Sequence, residues 1–287
     1  VDNKFYSVIN TKNDNRGYSY SFSLKLDKSF AFGLNASASY TFGHSKSVYD
    51  GTSSVAYSNW KYNYAYDSNN PGLTYSSFDQ PHRVIVNVGY TSPKYANGFL
   101  QSTIGLIYNG YSGMRYSLTM SESGDYNGDG YKGNSLMYIP TDDQVELMRF
   151  ADKKGMTAAE QKAAFKQWLG TDSYTKNHRG QYAERNSNLA PWENRVDLHF
   201  AQDFFYLKGR GSKIQFTFDV YNFANMLNNK WGVSYSSTYN VTPLIVSKVA
   251  AEDGDQIPTF QWNGNVAPSK NAIYSRWHAQ FGFKVTF

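Results

Sequence analysis

Three oxygen-bearing side chains at alternating positions, Asp125, Asn127 and Asp129, precede Gly130 in the stretch DYNGDG. A Ca2+ loop takes oxygen ligands at its first, third and fifth positions and a glycine at the sixth, where the chain must turn sharply. The stretch is therefore the first half of such a loop. The twelfth position, where a bidentate glutamate would close the site, is Leu136. A closing carboxylate would have to come from further along, from Asp142 or Asp143. The same residues also suit a turn in which Asx side chains accept backbone N–H groups. A second group is aromatic: Tyr57, Trp60, Tyr62, Tyr64 and Tyr66, followed by Tyr75 and Phe78, crowd one polar stretch. Rings at this density can stack on sugars or grip a peptide, and they equally suit an interfacial girdle.

Catalysis finds no constellation. The five histidines, His44, His82, His178, His199 and His278, fall on separate stretches. No HExxH, GxSxG, Walker or GxGxxG pattern is present. The Asp142–Asp143 pair opens a helical stretch, where the helix dipole favours acids. Cysteine is absent, which removes disulfides, thiol nucleophiles and Cys-type metal sites. The net charge of +5 comes without a run of Lys or Arg, so nucleic acid is not an expected partner. The expectation is a protein that is not an enzyme, with no cofactor beyond the Ca2+ question.

The elements that would carry these residues are strands. The final stretch, SRWHAQFGFKVTF, puts Trp277, Ala279, Phe281, Phe283, Val285 and Phe287 on one side and Arg276, His278, Gln280, Gly282, Lys284 and Thr286 on the other. The same period of two recurs at 17–28, 34–42, 82–91, 99–109, 192–204 and 214–220. In each of the six, apolar or aromatic residues share one face and polar residues share the other. Aromatic residues make up 17% of the chain, which suits strands and interfacial belts. Mean hydropathy is −0.60, and no run of about 18 apolar residues exists for a transmembrane helix. Barrel strands need only about 9–11 residues with alternate ones polar, so a membrane stays open. The first twenty residues lack the apolar core and basic start of a signal peptide.

The connections alternate in length. Short turns follow the first, third and fifth strands; long segments, 43–81, about 110–191 and 224–274, follow the second, fourth and sixth. Transmembrane β-barrels have this asymmetry, with short periplasmic turns and long extracellular loops. In that phase the C-terminus is periplasmic, and the first and last strands both run inward. Bacterial barrels have an even strand count. The chain then reads as the C-terminal part of a larger barrel, or, if KFYSVIN is an extra strand, as a small closed barrel of eight. Within 110–191, residues 141–150 and 157–169 read as two short helices. Thr141 with Gln144, and Thr157 with Glu160, have capping-box spacing. Charges facing mid-bilayer lipid cost about 2–4 kcal/mol. Arg83, Arg195, Asp197, His199, Asp219 and Arg276, with Asp203 and Lys284, should therefore face a lumen. The turn at 205–213 should set His199 within about two residues of Asp219 in register.

Five stretches carry a resemblance: SYTFGHSKSVYDGTSSVAYSNWKYN, SSFDQPHRVIVNVGY, GDYNGDGYKGNSLMYIPTD, NLAPWENRVDLHFAQDF and FDVYNFANMLNNKWG. With the aromatic terminal strand, and in this order, they resemble the C-terminal barrel of TonB-dependent outer-membrane receptors, nearest the Oar-like branch common in Bacteroidetes. The resemblance spans 17–287. It implies an all-β fold, antiparallel strands of a barrel of about 22 strands with a plugged lumen. It implies uptake of a nutrient across the outer membrane of a Gram-negative cell, driven by the TonB complex acting through a plug that has no counterpart here. Trp277, Phe281, Phe283 and Phe287 resemble the family's C-terminal assembly signal. The implied partners are outer-membrane lipid, the receptor's own plug and remaining strands, the barrel-assembly machinery and a surface lipoprotein. Two rivals stand beside it: a complete small passive barrel or porin, and a β-rich surface module that binds glycans.

Overall fold

The structure, a computed structural model, describes residues 8–206, 212–236 and 238–287. Of the KFYSVIN stretch, residues 4–7 lie outside the described residues, as does 207–211 of the sixth-strand turn. Seven long strands form one antiparallel sheet in chain order: β1 (Tyr18–Ser29), β2 (Leu34–Ser47), β3 (His82–Thr91), β4 (Leu100–Tyr111), β5 (Glu193–Phe205), β6 (Lys213–Tyr221) and β7 (His278–Thr286). These are the seven strands expected from alternation, with ends shifted by a few residues. β2 runs on to Ser47 because Tyr20 and Tyr18 pair with His44 and Lys46. β7 begins only at His278, so Arg276 and Trp277 precede it. A turn held by Asn271 places them there, its carbonyl accepting the Ser275 N–H at 3.1 Å.

Register makes the two faces continuous, because directly paired residues of an antiparallel ladder share a face. One row reads Leu34, Tyr90, Ile104, Phe200, Phe218 and Phe281 from β2 to β7. The neighbouring row on the other face reads Asn35, Gly89, Gly105, His199, Asp219 and Gln280. The apolar face is bare: Phe22 is 64%, Phe281 69% and Phe283 71% exposed. Soluble proteins rarely leave an apolar patch of this extent uncovered. The sheet is an open arc, not a closed barrel. Among the described residues β1 and β7 are its free edges, and every residue of β1 is exposed. Short connections lie at one end of the sheet and long ones at the other, as expected. In the first short turn Gly33 has φ +100°, and a Cβ there would collide with the Thr91 carbonyl.

The three long connections fold together into a cap. Arg115–Leu118 pairs with Asn188–Leu189 from its own loop and, in parallel, with Asn240–Val241 from the last loop. A hairpin, Leu244–Glu252 with Asp255–Trp262, lies in the long segment 224–274 that the sequence places between the last two strands, and it pairs with Arg149–Phe150. Among the described residues four α-helices belong to this cap: α1 (Ala56–Lys61), α2 (Asp142–Leu147), α3 (Ala158–Thr171) and α4 (Phe223–Leu227). α2 and α3 carry the two capping boxes that the spacing predicts, on Thr141 and Thr157. α3 buries Gln161, Phe165, Trp168 and Leu169, one stripe of the helix. The main buried apolar cluster lies here and not in the sheet. Leu118, Met137, Ile139, Val145, Phe165 and Leu169 are fully buried in it. Asn222, at φ 57°, ties the last loop down. Its N–H donates to Asp197 Oδ1 at 2.6 Å and its amide to the Gly232 and Ser275 carbonyls. Gly232 is needed there, since a Cβ would run into the Asn222 side chain.

Candidate functional site

The polar face of the sheet gathers the charges expected on it. His199 and Asp219 are direct cross-strand partners, with Nδ1 and Oδ1 at 2.6 Å. Arg195 Nε donates to Asp197 at 3.0 Å, and Arg83 Nε to Asn109 at 3.3 Å. Lys213 Nζ reaches Asp203 at 2.7 Å. Arg276 stands apart, exposed in the turn before β7. Arg195 and Lys213 thus meet carboxylates along a polar wall, and Arg83 meets a neutral amide. The aromatic residues read as an assembly signal divide: Phe281 and Phe283 sit on the apolar face of β7, whereas Trp277 and Phe287 flank the strand.

Where the sheet meets the cap, two buried arginines hold the loops together. Asp79 accepts from Arg115 Nε at 2.6 Å and from the Ser45 N–H at 2.7 Å, and its carboxylate faces His44 Nδ1 at 3.2 Å. The Arg115 guanidinium lies 3.5 Å from the centre of the Tyr75 ring. Arg185 donates to Asn63 Oδ1 at 2.9 Å and the Ser47 carbonyl at 2.7 Å, and pairs with Asp50 at 3.4 Å. Burial pulls the Arg185 pKa down against the opposing charge of Asp50. For Asp50, burial pushes up, but hydrogen bonds from Ser47 and Ser77 and the charge of Arg185 leave it below the usual carboxylate value. No local pattern marks these four residues. They are polar loop residues at ordinary spacing, and only tertiary pairing over long sequence separations singles them out.

The aromatic cluster does not form one platform. Tyr57 and Trp60 stack on α1 with centroids 5.9 Å apart. Tyr66 packs on Tyr182 at 4.1 Å. Tyr62 and Tyr64 turn elsewhere, to a cavity of about 280 Å³ bounded also by Tyr49, Asp50, Arg185 and Tyr239. All three long loops contribute to its wall. Burial, with Glu122 nearby, raises the Tyr64 hydroxyl to about 12, so it stays neutral. A second, apolar groove of about 400 Å³ lies between α2 and the hairpin, lined by Met120, Leu147, Ile257 and Pro258 among others.

The DYNGDG stretch forms a hydrogen-bonded turn. Asp125 accepts the N–H groups of Gly128, Asp129 and Gly130. Asp129 accepts from Ser68 Oγ at 2.5 Å, Asn134 Nδ2 at 2.6 Å and the Tyr131 N–H at 2.8 Å. Protein donors thus take up both carboxylates. Among the described residues, no three His, Asp or Glu side chains gather as a metal site.

The family model described as an outer membrane beta barrel domain matches residues 3–241. No curated protein matches.

Proposed function

The chain belongs to the outer membrane beta barrel domain family and is an outer-membrane protein, and from that premise we propose that it forms part of the wall and outer loops of a TonB-dependent receptor. In this reading the short turns and C-terminus are periplasmic and the cap is extracellular. The receptor takes up a nutrient through a lumen lined by the polar face. The observation that carries the proposal is the open arc beneath a folded cap. Backbone N–H and C=O groups in hydrocarbon need partners, so only a closed sheet spans a bilayer. The edges of β1 and β7 therefore call for further antiparallel strands. A large barrel supplies them, and the receptor's plug gives the paired charges of the polar face something to meet. Energy coupling, in this reading, resides in the plug.

The test is the native protein. Extracted from its outer membrane, it should have an intact mass several times 32.6 kDa, and its ligand uptake should stop when the proton gradient or TonB is removed. A heat-modifiable species of 32.6 kDa whose transport ignores the gradient would sink the receptor reading and favour a small passive barrel.

A further inference from the structure

We propose that a patch of the polar face next to the cap, centred on Arg83 and Arg195, binds small organic acids that carry an apolar body beside the carboxylate. This deepens the uptake reading, and rests on it only in treating that face as open to solute and the acid as cargo. The first observation is placement. Asn109 of β4 pairs directly with Ile85 of β3 on one side and with Arg195 of β5 on the other. Directly paired residues share a face, and diagonal neighbours stand ~7–8 Å apart. Arg83 lies two residues before Ile85 on that face and donates Nε to Asn109 Oδ1 at 3.3 Å. Both arginine charges act on the Tyr111 hydroxyl, which belongs to the same end of β4. Two guanidiniums thus flank one amide where the strands meet the long loops.

The second observation is the donors that remain. Arg83 is exposed and gives only Nε, to a neutral amide. Arg195 also gives only Nε, to Asp197 at 3.0 Å. Among the described residues the terminal nitrogens of both arginines meet no acceptor, and such a fork of N–H groups matches the two oxygens of a carboxylate. The neighbouring carboxylates are taken up by the protein. Glu193 is buried and accepts the Tyr111 hydroxyl at 2.8 Å and the Tyr235 N–H at 3.0 Å. Asp197 accepts the Asn222 N–H at 2.6 Å besides Arg195 Nε. Both acids hold the last loop against the sheet. The Arg195 side chain is 41% exposed against 26% for Asp197, so solute meets the cations first.

The third observation is a pair of isoleucines. Ile85 and Ile107 are the two aliphatic side chains larger than alanine that the seven long strands put on the polar face. They are diagonal neighbours across β3 and β4, and Ile107 is 43% exposed. Apolar surface left in water favours a cover of apolar atoms. Inorganic phosphate would leave the isoleucines bare, whereas an acid with a short hydrocarbon body covers them while its carboxylate meets the arginines. The patch lies at the end of the sheet that carries the cap, the end at which an outside solute arrives in the uptake reading.

The experiment is a saturation-transfer NMR titration of the intact protein, purified from outer membranes in an uncharged detergent. Hexanoate is the probe; acetate, hexanol and inorganic phosphate are the comparisons. Hexanoate should bind more tightly than any of the three. Arg83→Gln removes the charge at an exposed position that makes one long bond, so the variant should fold as the wild type does. It should weaken hexanoate about tenfold, and the difference between the two proteins cancels whatever enters the detergent. Ile107→Ser should weaken hexanoate about threefold and leave acetate unchanged. Phosphate or hexanol binding as tightly as hexanoate, or full affinity in Arg83→Gln, would overturn the proposal. So would an absence of hexanoate binding, the result if the receptor's plug covers the patch. Hexanoate bound with gradient-independent uptake would sink the receptor reading and leave this site standing. Gradient-driven uptake with no hexanoate bound would do the reverse.

Discussion

Replacing Phe281 with lysine separates a lipid-facing strand from a soluble one. Phe281 sits mid-strand on β7, 69% exposed on the apolar face, with its ring 4.9 Å from Phe218 across the pair. If that face meets lipid, Phe281→Lys puts an ammonium near the bilayer centre, at a cost of about 2–4 kcal/mol. Losing the aromatic pair adds about 0.5–1.5 kcal/mol. The sum, roughly 2.5–5.5 kcal/mol, is a large fraction of the ~5–15 kcal/mol that holds a typical folded chain together. The control is one residue away. Gln280 points to the other face and pairs with Asp219, so Gln280→Lys gains an opposite charge and should change stability by no more than about 0.5 kcal/mol. Urea titration of both variants in lipid vesicles, followed by the gel shift between heated and unheated samples, measures the difference. Phe281→Lys should fold poorly or unfold at far lower urea, and Gln280→Lys should follow the wild type. Equal damage from both substitutions, or a Phe281→Lys protein that folds in water without detergent, would refute the membrane assignment of this face.

Four further outcomes follow from the cap. Arg115→Ala leaves the fully buried Asp79 carboxylate without its partner and should cost about 3–5 kcal/mol in urea unfolding. Arg149→Ala, which breaks the half-exposed pair with Glu252, should cost no more than about 1 kcal/mol. Asp50 and Asp129 both sit below their ordinary value of 3.8 in the folded cap. Their stabilisation is present above that value and is lost as pH falls through the lowered ones. Loop proteolysis should therefore be flat from about pH 5 to 8 and rise in acid below about pH 4, with a shallower rise in Asp50→Asn. Asp125→Ala should speed hydrogen exchange at Gly128–Gly130, whereas adding Ca2+ to chelator-treated wild type should leave that exchange unchanged. Slowing by Ca2+ would restore the metal reading of the DYNGDG loop.

The sheet was legible in the sequence because each strand separates two environments. Phe216 and Phe218 face one way and Gln215, Thr217 and Asp219 the other, and that alternation dominates the long strands, with exceptions such as Ile85 and Ile107 on the polar face. The His199–Asp219 pairing followed from a turn centred between β5 and β6. Helices α2 and α3 were legible from local chemistry, since a threonine and an acid or amide three residues on form a cap regardless of what surrounds them. The hairpin at Leu244–Trp262 was not. A register shift between Val246 and Lys248 breaks its period of two, and Pro258 interrupts its second strand. α1 was hidden because its residues, AYSNWK, carry neither a cap nor a buried stripe.

The candidate site was the least legible part, for a physical reason. Its aromatic residues were visible as a cluster, but composition cannot say which rings share a cavity. Tyr57 and Trp60 satisfy each other on a helix and Tyr66 is covered by Tyr182, which leaves Tyr62 and Tyr64 at the opening. What selects them is Arg185, more than 120 residues away in sequence, whose buried charge needs Asp50 and whose geometry fixes Asn63. Such a cation is tolerated only where its partners are already in place. The cavity therefore depends on Arg185 keeping its bonds to Asp50, Asn63 and Ser47. The sheet has one apolar and one polar face; the cap has an apolar core of its own. The arginines join the two, so loosening the cap core should degrade the cavity while leaving the strand pairing intact.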